Sequence, residues 1–391
     1  MSTFDPNGVG IANGNIFGFP YSEEEANIVL IPVPWDATAS YGKGTSKGPQ
    51  AILDASTQLD FYHPELERAY ETKIYMSPVS AEWFDINARL CEKGTEYISY
   101  LEEVGEEKAQ MRYSSTLEEI NEAHQALRDN LKERCLSLLK DGKMPCVLGG
   151  EHSTPLGLLE ALDAHYEGFG ILQIDAHADL RDAYEGFEQS HASIMFNALK
   201  ALKNLQKLTQ VGIRDVSERE IELAKNDPRV TTFYDWDLKN EQYAGRTWAE
   251  QVQQIIATLP QKVYVSFDID GLLPSLCPHT GTPVAGGFEL QQIAFLLFEV
   301  VRTGREIIGF DLNEVAPGPE GDWDANVGAR ALWHLVCATE LSRRQHIWKS
   351  SKHKYFRHSP SVLACWAYSV SGMYLTGISS VGARNSFCSL S

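Results

Sequence analysis

Short apolar runs alternate with amphipathic stretches along most of the chain, most regularly after residue 145. Each apolar run has the length and bounding turn residues of a buried strand, and each amphipathic stretch repeats its apolar residues at helical spacing. The predicted strands are 27–33, 145–148, 169–174, 207–213, 231–234, 263–268 and 306–312. The predicted helices are 49–59, 117–139, 154–165, 192–203, 217–225, 248–258, 290–303 and 324–342. This alternation predicts an α/β fold with a parallel sheet covered by helices on both faces.

Two regions depart from the alternating pattern. Residues 65–130 are rich in Glu and Lys and predict a helical elaboration or an outer helical layer. With no internal repeat or low-complexity linker in the sequence, residues 1–342 are interpreted as a single domain. The tail 343–391 contains no acidic residue and several basic ones. It is interpreted as a disordered tail, an arm that contacts a neighbour, or a frame-shifted extension.

Charge and cysteine content narrow the classes of function. The 391 residues include 53 acidic and 34 basic side chains, a net charge of −19, which disfavours binding to nucleic acid or to anionic membranes. The N-terminus lacks the basic and apolar regions of a signal peptide. The seven cysteines are scattered without CxxC spacing, which indicates reduced thiols. We therefore expect a cytoplasmic protein.

The sequence DAHAD follows the apolar run 169–173 and supplies the first candidate chemistry. Side chains at alternate positions of a strand point the same way, so Asp175, His177 and Asp179 are expected to project together. One imidazole between two carboxylates suits a divalent transition metal. By itself, the motif is equally compatible with a capping and hydrogen-bonding cluster.

Two further motifs favour the metal interpretation. The sequence GGEHS places His152 after the strand 145–148, and SFDID places Asp268 and Asp270 on one face of another strand end. Two facing carboxylates repel each other unless a cation lies between them. Six nitrogen and oxygen donors can hold two metals if two carboxylates bridge, so we predict a dinuclear site.

In that order, GGEHS, DAHAD and SFDID resemble the metal-binding motifs of the ureohydrolase family, which includes arginases, agmatinases, guanidinobutyrases and guanidine hydrolases. The loop 33–52 and the segments 211–215 and 309–315 are similar to further family segments. Outside residues 65–130, the resemblance covers about residues 28–341. It implies a three-layer α/β/α arginase-like fold with a mostly parallel sheet of about eight strands. The finer resemblance is to agmatinase-related, nickel-dependent guanidine hydrolases.

The resemblance also implies a role for each candidate residue. One metal would be held by His152, Asp175, Asp179 and Asp268, and the other by His177, Asp175, Asp268 and Asp270. Asp175 and Asp268 would bridge the two. Glu314 matches the glutamate that receives the substrate guanidinium, and His191 matches a histidine proposed to shuttle protons. Asp179 would orient the attacking water and pass on its proton.

The sequence specifies the substrate and the identity of the metal less strongly than it specifies the metal ligands. An aromatic wall of Trp35, Tyr184 and Phe187 would narrow the pocket toward a small cation, which favours guanidine over agmatine and guanidinobutyrate. For agmatine, Asp182, Glu185 and Glu188 are candidate partners of the distal amine, although each could equally be solvated. The donor set suits Mn²⁺ and does not exclude Ni²⁺. The finer resemblance favours Ni²⁺, with Mn²⁺ as the alternative.

The resemblance further implies a homotrimer or homohexamer and leaves room for a metal-delivery accessory protein. Two other interpretations remain open. A zinc deacetylase of the same superfamily would use one metal, which the pair Asp268 and Asp270 together with Glu314 argues against. An inactive metal-binding paralogue is disfavoured because all six ligand positions are filled.

Overall fold

Eight parallel strands form one sheet in the computed structural model, which describes residues 4–319 and 322–358. The strands are β1 Ile28–Val33, β2 Ile74–Met76, β3 Met144–Gly149, β4 Phe169–Ile174, β5 Leu205–Ile213, β6 Val230–Tyr234, β7 Lys262–Asp268 and β8 Glu306–Asn313. Their order across the sheet is β2-β1-β3-β8-β7-β4-β5-β6, and every neighbouring pair is parallel. The predicted parallel sheet of about eight strands is confirmed.

Helices connect these strands. They are α1 Gly48–Ser56, α2 Ala81–Val104, α3 Glu106–Arg112, α4 Ser114–Lys140, α5 Leu156–His165, α6 Ile194–Ala201, α7 Glu218–Asn226, α8 Asp235–Tyr243, α9 Trp248–Thr258, α10 Leu290–Arg302 and α11 Trp323–His358. The start of α7 is fixed by a capping box between Ser217 and Glu220, and that of α9 by one between Thr247 and Glu250. Among the described residues, no helix is both long and apolar enough to cross a bilayer.

The sheet separates two apolar cores because successive strand residues face opposite sides. In β3, Cys146 and Leu148 join the core that contains buried residues of α1, α9, α10 and α11. Val147, between them, joins the core that contains residues of α2, α4, α5 and α6. This arrangement confirms the three-layer α/β/α fold.

Residues 81–140 form the outer helical layer that the sequence predicts for part of 65–130. Leu90 of α2 and Leu127 and Leu131 of α4 are buried in the second core, so these helices pack on the domain. Hereafter, α2, α3 and α4 together are called the helical layer. Residues 65–130 also contain β2, an edge strand that the sequence analysis does not predict because three residues are too few to establish a period.

Helix α8 is a second element missing from the sequence prediction. Its sequence, DWDLKNEQY, buries only Asp235 and Leu238, so it carries no apolar stripe that a periodicity analysis could detect.

By its internal contacts, the chain divides into the units Met1–Arg343 and Arg344–Ser391. Residues 359–391 of the predicted tail lie outside the described part, and the interpretation of 343–391 stays a prediction.

Candidate metal centre

The predicted ligand motifs lie at the carboxyl ends of neighbouring strands. The central order β3-β8-β7-β4 brings together the residues that follow these four strands. His152 follows β3, Asp175 follows β4, Asp268 ends β7 and Glu314 follows β8. The carboxyl edge of a parallel sheet is the usual position of a ligand site in such folds.

One group of donors surrounds His152. Its Nδ1 atom lies 2.9 Å from Asp179 Oδ2, 3.0 Å from Asp175 Oδ2 and 3.3 Å from Asp268 Oδ2. These four side chains are almost completely buried. Adjacent ligands of a single ion with bonds of ~2.1 Å are separated by about these distances.

A second group shares Asp175 with the first. His177 Nδ1 lies 3.0 Å from Asp270 Oδ2 and 3.7 Å from Asp175 Oδ1. Donor atoms of Asp175, His177 and Asp270 all lie within 4.8 Å of one another, as do those of His152, Asp175 and Asp179. Asp175 thus offers one oxygen to each group, the arrangement required of a bridging carboxylate.

The hydrogen bonds of His152 leave one ring nitrogen available for a metal. Ser266 Oγ donates to Asp311 Oδ1 over 3.1 Å, so at its 2.8 Å contact with His152 Nε2 the hydroxyl oxygen accepts. Nε2 then carries a proton. Burial lowers the pKa of the imidazole, but the contacts of Nδ1 with Asp175, Asp179 and Asp268 outweigh it and raise that pKa well above its ordinary value, so positive charge is favoured at Nδ1. These contacts are repulsive without positive charge between the atoms. The donor set therefore fits a cation, and an Asp-Ser-His chain is a typical support for a metal-ligating histidine.

The pKa values of the carboxyl groups also indicate that positive charge would stabilise the cluster. Burial, followed by the charge of Asp175, raises the pKa of Asp179 to about 7. Burial, followed by Asp270, also raises the pKa of Asp268 well above its ordinary value. The pKa of Asp175 is lowered instead: burial opposes ionisation, but contacts with His152 and His177 outweigh it. If every carboxyl group in the cluster were ionised, their mutual repulsion would be unfavourable. Cations at the centre of the cluster would offset this repulsion and lower the raised pKa values.

Glu314 lies at the rim of the same cluster. Its Oε1 accepts a hydrogen bond of 2.8 Å from the backbone N–H of His152, and its own N–H donates to Gly150 O over 2.8 Å. A Cβ atom at Gly281 would approach Oε2 to 3.1 Å, so the absence of a side chain there leaves room beside this oxygen. Burial, followed by the charge of Glu151, raises the pKa of Glu314 well above its ordinary value. An incoming cation would favour its ionised form.

Two of the site carboxylates have a left-handed backbone conformation. The φ angle is +54° at Asp179 and +64° at Glu314. This region favours glycine and costs conformational energy for residues with a Cβ atom. Backbone hydrogen bonds hold both residues: Asp179 O accepts from Met195 N and Phe196 N, and Glu314 N donates to Gly150 O.

His191 lies between two loops near His177. Its Nε2 atom is 3.3 Å from Ser40 Oγ, and its ring centroid is 5.9 Å from that of Tyr184. Burial, followed by the positive charges of His177 and Lys43, lowers the pKa of His191 to about 3. The imidazole is therefore neutral at pH 7 and can accept a hydrogen bond.

The predicted aromatic wall is only partly present. The indole of Trp35 is fully buried, with its ring centroid 5.1 Å from that of His124 in α4, so it offers no surface to a substrate. Phe187 is also fully buried and packs on Tyr97. Tyr184 is the member of the predicted wall that lies beside His191. Trp35 instead supports the centre through its carbonyl, which accepts from Glu151 N over 2.8 Å.

Several supporting residues were not predicted from the sequence. Ser266 and Asp311 orient His152, and Thr282 Oγ1 lies 3.4 Å from Asp270 Oδ2. Ser266 could have been found because it lies two residues before Asp268 in β7 and therefore shares its face. Asp311 could be found only through its pairing with Ser266 in the sheet register, which is not a local signal.

Comparisons with known proteins agree with this geometry. The profile of the Arginase family matches residues 26–338, which include all six predicted ligands. The chain belongs to the arginase family. This arginase-family chain is therefore a hydrolase of linear amidine C–N bonds. Enzymes of the family bind a dinuclear divalent metal site, and this chain has two groups of His and Asp side chains that could hold metal ions.

Two curated relatives and one solved structure illustrate the similarity. The N(1)-aminopropylagmatine ureohydrolase of Thermus thermophilus is 31% identical over 318 residues, covering 81% of this chain and 91% of the relative. The agmatinase of Bacillus anthracis is 29% identical over 297 residues, covering 76% and 86%. The agmatine ureohydrolase of Thermoplasma volcanium superposes with a TM-score of 0.64 at 23% identity, covering 85% and 96%. The last of these supports the arginase-like fold.

The role of Ser266 in this arginase-family site can be tested through metal affinity. We expect Ser266→Ala to weaken metal binding about 10- to 100-fold, because Nε2 loses its acceptor and the imidazole its fixed orientation. Competition with a chelator would measure the affinity. Ser342→Ala is the matched control: Ser342 is also fully buried and accepts from Ile307 N at the other end of β8. Equal affinities in the two variants would contradict the orienting role.

Proposed function

We propose that this ureohydrolase acts on guanidine and releases urea and ammonia. The observation that carries the proposal is the position of Glu314, whose carboxylate lies beside the donor set with space left at Oε2. A guanidinium ion stays protonated at neutral pH and is bound most strongly by charge-assisted hydrogen bonds to a carboxylate. We place His191, with its contacts to Ser40 and Tyr184, on the other side of the substrate, where these side chains would favour a small cation.

In this proposal, each residue has a separate task. Glu314 binds the guanidinium nitrogens through its carboxylate and so fixes the position of the guanidinium carbon. When bound, two divalent ions would supply the nucleophile by lowering the pKa of a water. Asp179 would orient the attacking water through its carboxylate and pass the proton of that water toward the leaving nitrogen. The neutral imidazole of His191 accepts hydrogen bonds from the substrate or the departing amine.

The six ligands proposed for the two ions are His152, Asp175, His177, Asp179, Asp268 and Asp270. We favour Ni²⁺ and keep Mn²⁺ as the alternative, because both accept imidazole and carboxylate ligands and Ni²⁺ binds more strongly in the divalent series. The affinity order supports nickel at equal availability, whereas supply in the cell determines the metal acquired.

Agmatine is the second candidate substrate. The names of the two relatives above, agmatinase and N(1)-aminopropylagmatine ureohydrolase, support it. A cavity of about 510 Å³ is lined by Asp182, Tyr184 and Glu185 among others, and its carboxylates could receive a distal amine. Arg181 and Arg219 also line this cavity and compete with a distal amine for its carboxylates, as the 3.6 Å contact of Arg181 with Glu220 illustrates. We therefore rank agmatine and guanidinobutyrate behind guanidine.

The substrate and the metal are tested together. Metal-free protein is reconstituted separately with Ni²⁺ and with Mn²⁺, and urea release is measured for each substrate. We expect the nickel protein to hydrolyse guanidine faster than either the nickel or the manganese protein hydrolyses agmatine. Arginine and guanidinobutyrate serve as further competitors, and chelator-treated protein serves as the blank. Faster turnover of agmatine with manganese than of guanidine with nickel would replace the guanidine proposal by the agmatinase alternative.

The remaining expectations concern assembly and location. We propose a homotrimer or homohexamer, since arginase-family enzymes are typically oligomeric. Metal delivery by an accessory protein and a cytoplasmic location stay predictions.

A further inference from the structure

The helical layer contacts both loops that surround His191. One loop, residues 36–46, carries Ser40 and is called the Asp36 loop. The other, residues 183–189, carries Tyr184 and is called the Tyr184 loop. His191 contacts a residue of each, Ser40 through Nε2 and Tyr184 through its ring. The position of the imidazole therefore depends on where the two loops are held.

A buried asparagine of α2 holds the Asp36 loop. Asn87 Oδ1 accepts from Asp36 N over 2.7 Å, and Asn87 Nδ2 donates to Asp36 Oδ1 over 2.8 Å. The other carboxylate oxygen of Asp36 accepts from Gly44 N and Ser46 N, at 2.9 and 3.2 Å. Asp36 thus closes the loop on itself, and Asn87, 3% exposed, fixes the closed loop to the helical layer.

A second asparagine, on α4, holds the Tyr184 loop in the same reciprocal manner. Asn121 Oδ1 accepts from Glu188 N over 3.0 Å, and Asn121 Nδ2 donates to Gly186 O over 3.3 Å. Tyr97 of α2 adds a 2.6 Å hydrogen bond to Glu185 O. These contacts hold a loop that has φ of +47° at Ala183 and +55° at Glu185, conformations that need outside support.

From these contacts we infer that Asn87 and Asn121 are positioning residues: the helical layer uses them to hold the two loops around His191 and so sets the width of the substrate site. The inference rests on the proposed function for its link to substrate choice. The metal ligands follow the strands β3, β4 and β7, and the two asparagines contact none of them. Loosening the loops should therefore change substrate discrimination without removing metal.

The test compares Asn87→Ala and Asn121→Ala with Asn130→Ala, the same substitution at an exposed position of α4. Hydrogen exchange measured by mass spectrometry is expected to rise in residues 36–46 for the first variant and in 183–189 for the second. Each variant should leave the other loop and the metal content unchanged. Unchanged exchange in both loops would overturn the inference.

Kinetics supply the second measurement. We expect each variant to lower kcat/KM for guanidine about 10- to 100-fold, because small displacements of a positioned group carry large rate penalties. The ratio of kcat/KM for guanidine to that for agmatine should fall about tenfold in each variant, since loosening either loop widens the space beside His191 for the longer substrate. A smaller folded fraction cannot alter this ratio.

The two proposals can fail separately. An unchanged ratio together with faster exchange would show that the loops are held without setting specificity, which overturns the inference. If the wild-type protein releases urea from none of the guanidino compounds, the proposed function fails. The exchange measurement then still decides whether the asparagines hold the loops.

Discussion

Replacing Asp268 by alanine is expected to remove both metal ions and to lower urea release by about 10⁴-fold. One oxygen of Asp268 lies 3.3 Å from His152 Nδ1, and the other accepts from the backbone N–H of Asp270 over 2.9 Å. The side chain therefore supports both donor groups. Loss of metal removes several kcal/mol of transition-state stabilisation, which corresponds to a change of this size. Elemental analysis and a urea assay measure the two effects.

Asp270→Ala is the matched control for this prediction. Asp270 belongs to the group around His177 and lies 3.0 Å from its Nδ1 atom. Its loss should weaken mainly one ion, so this variant is expected to keep about one metal per chain while the wild type holds about two. Equal metal loss in the two variants would contradict the bridging role of Asp268. A wild-type protein that holds a single zinc would contradict the dinuclear site.

Replacing Glu314 by glutamine is expected to reduce kcat/KM for guanidine by about 10²- to 10³-fold while both metals remain bound. Glutamine keeps the size of the side chain and an oxygen that accepts from His152 N. The variant therefore removes only the negative charge that the guanidinium requires.

Glu289→Gln provides the control for Glu314→Gln. Glu289 caps α10 at an exposed position, so the same substitution there should leave catalysis unchanged. Metal content, measured beside the kinetics, separates a loss of substrate binding from a loss of the site. Wild-type kcat/KM in Glu314→Gln would exclude Glu314 as the partner of the guanidinium.

The sequence predicts the cluster of candidate ligands at the sheet edge because its signals are local. His152, Asp175 and Asp268 each lie within a few residues of a recognisable strand, and alternate positions of a strand necessarily share a face. The parallel order then brings the strand ends together without further information. The same reasoning predicts the α/β layers, since each strand and helix has its own periodicity.

The parts that escaped prediction depend on contacts between residues far apart in sequence. Trp35 follows a strand beside the site, which suggests a substrate contact, but α4 covers it with His124. The asparagines Asn87 and Asn121 occur in helices whose polar residues have no distinguishing pattern. Their partners in the two loops lie 51 and 65 to 67 residues away along the chain. Only the packed structure shows that these amides reach the loops.

The left-handed backbone conformation of Asp179 and Glu314 lowers the free energy of unfolding of the protein, although the site uses both residues. Each residue costs about 1–3 kcal/mol relative to one that adopts this conformation freely, and glycine would relieve that cost. Glycine at either position, however, would delete a carboxylate that the proposed reaction requires. Selection for activity therefore retains two energetically unfavourable residues, and part of the folding free energy of the sheet and its helices is used to hold them in position.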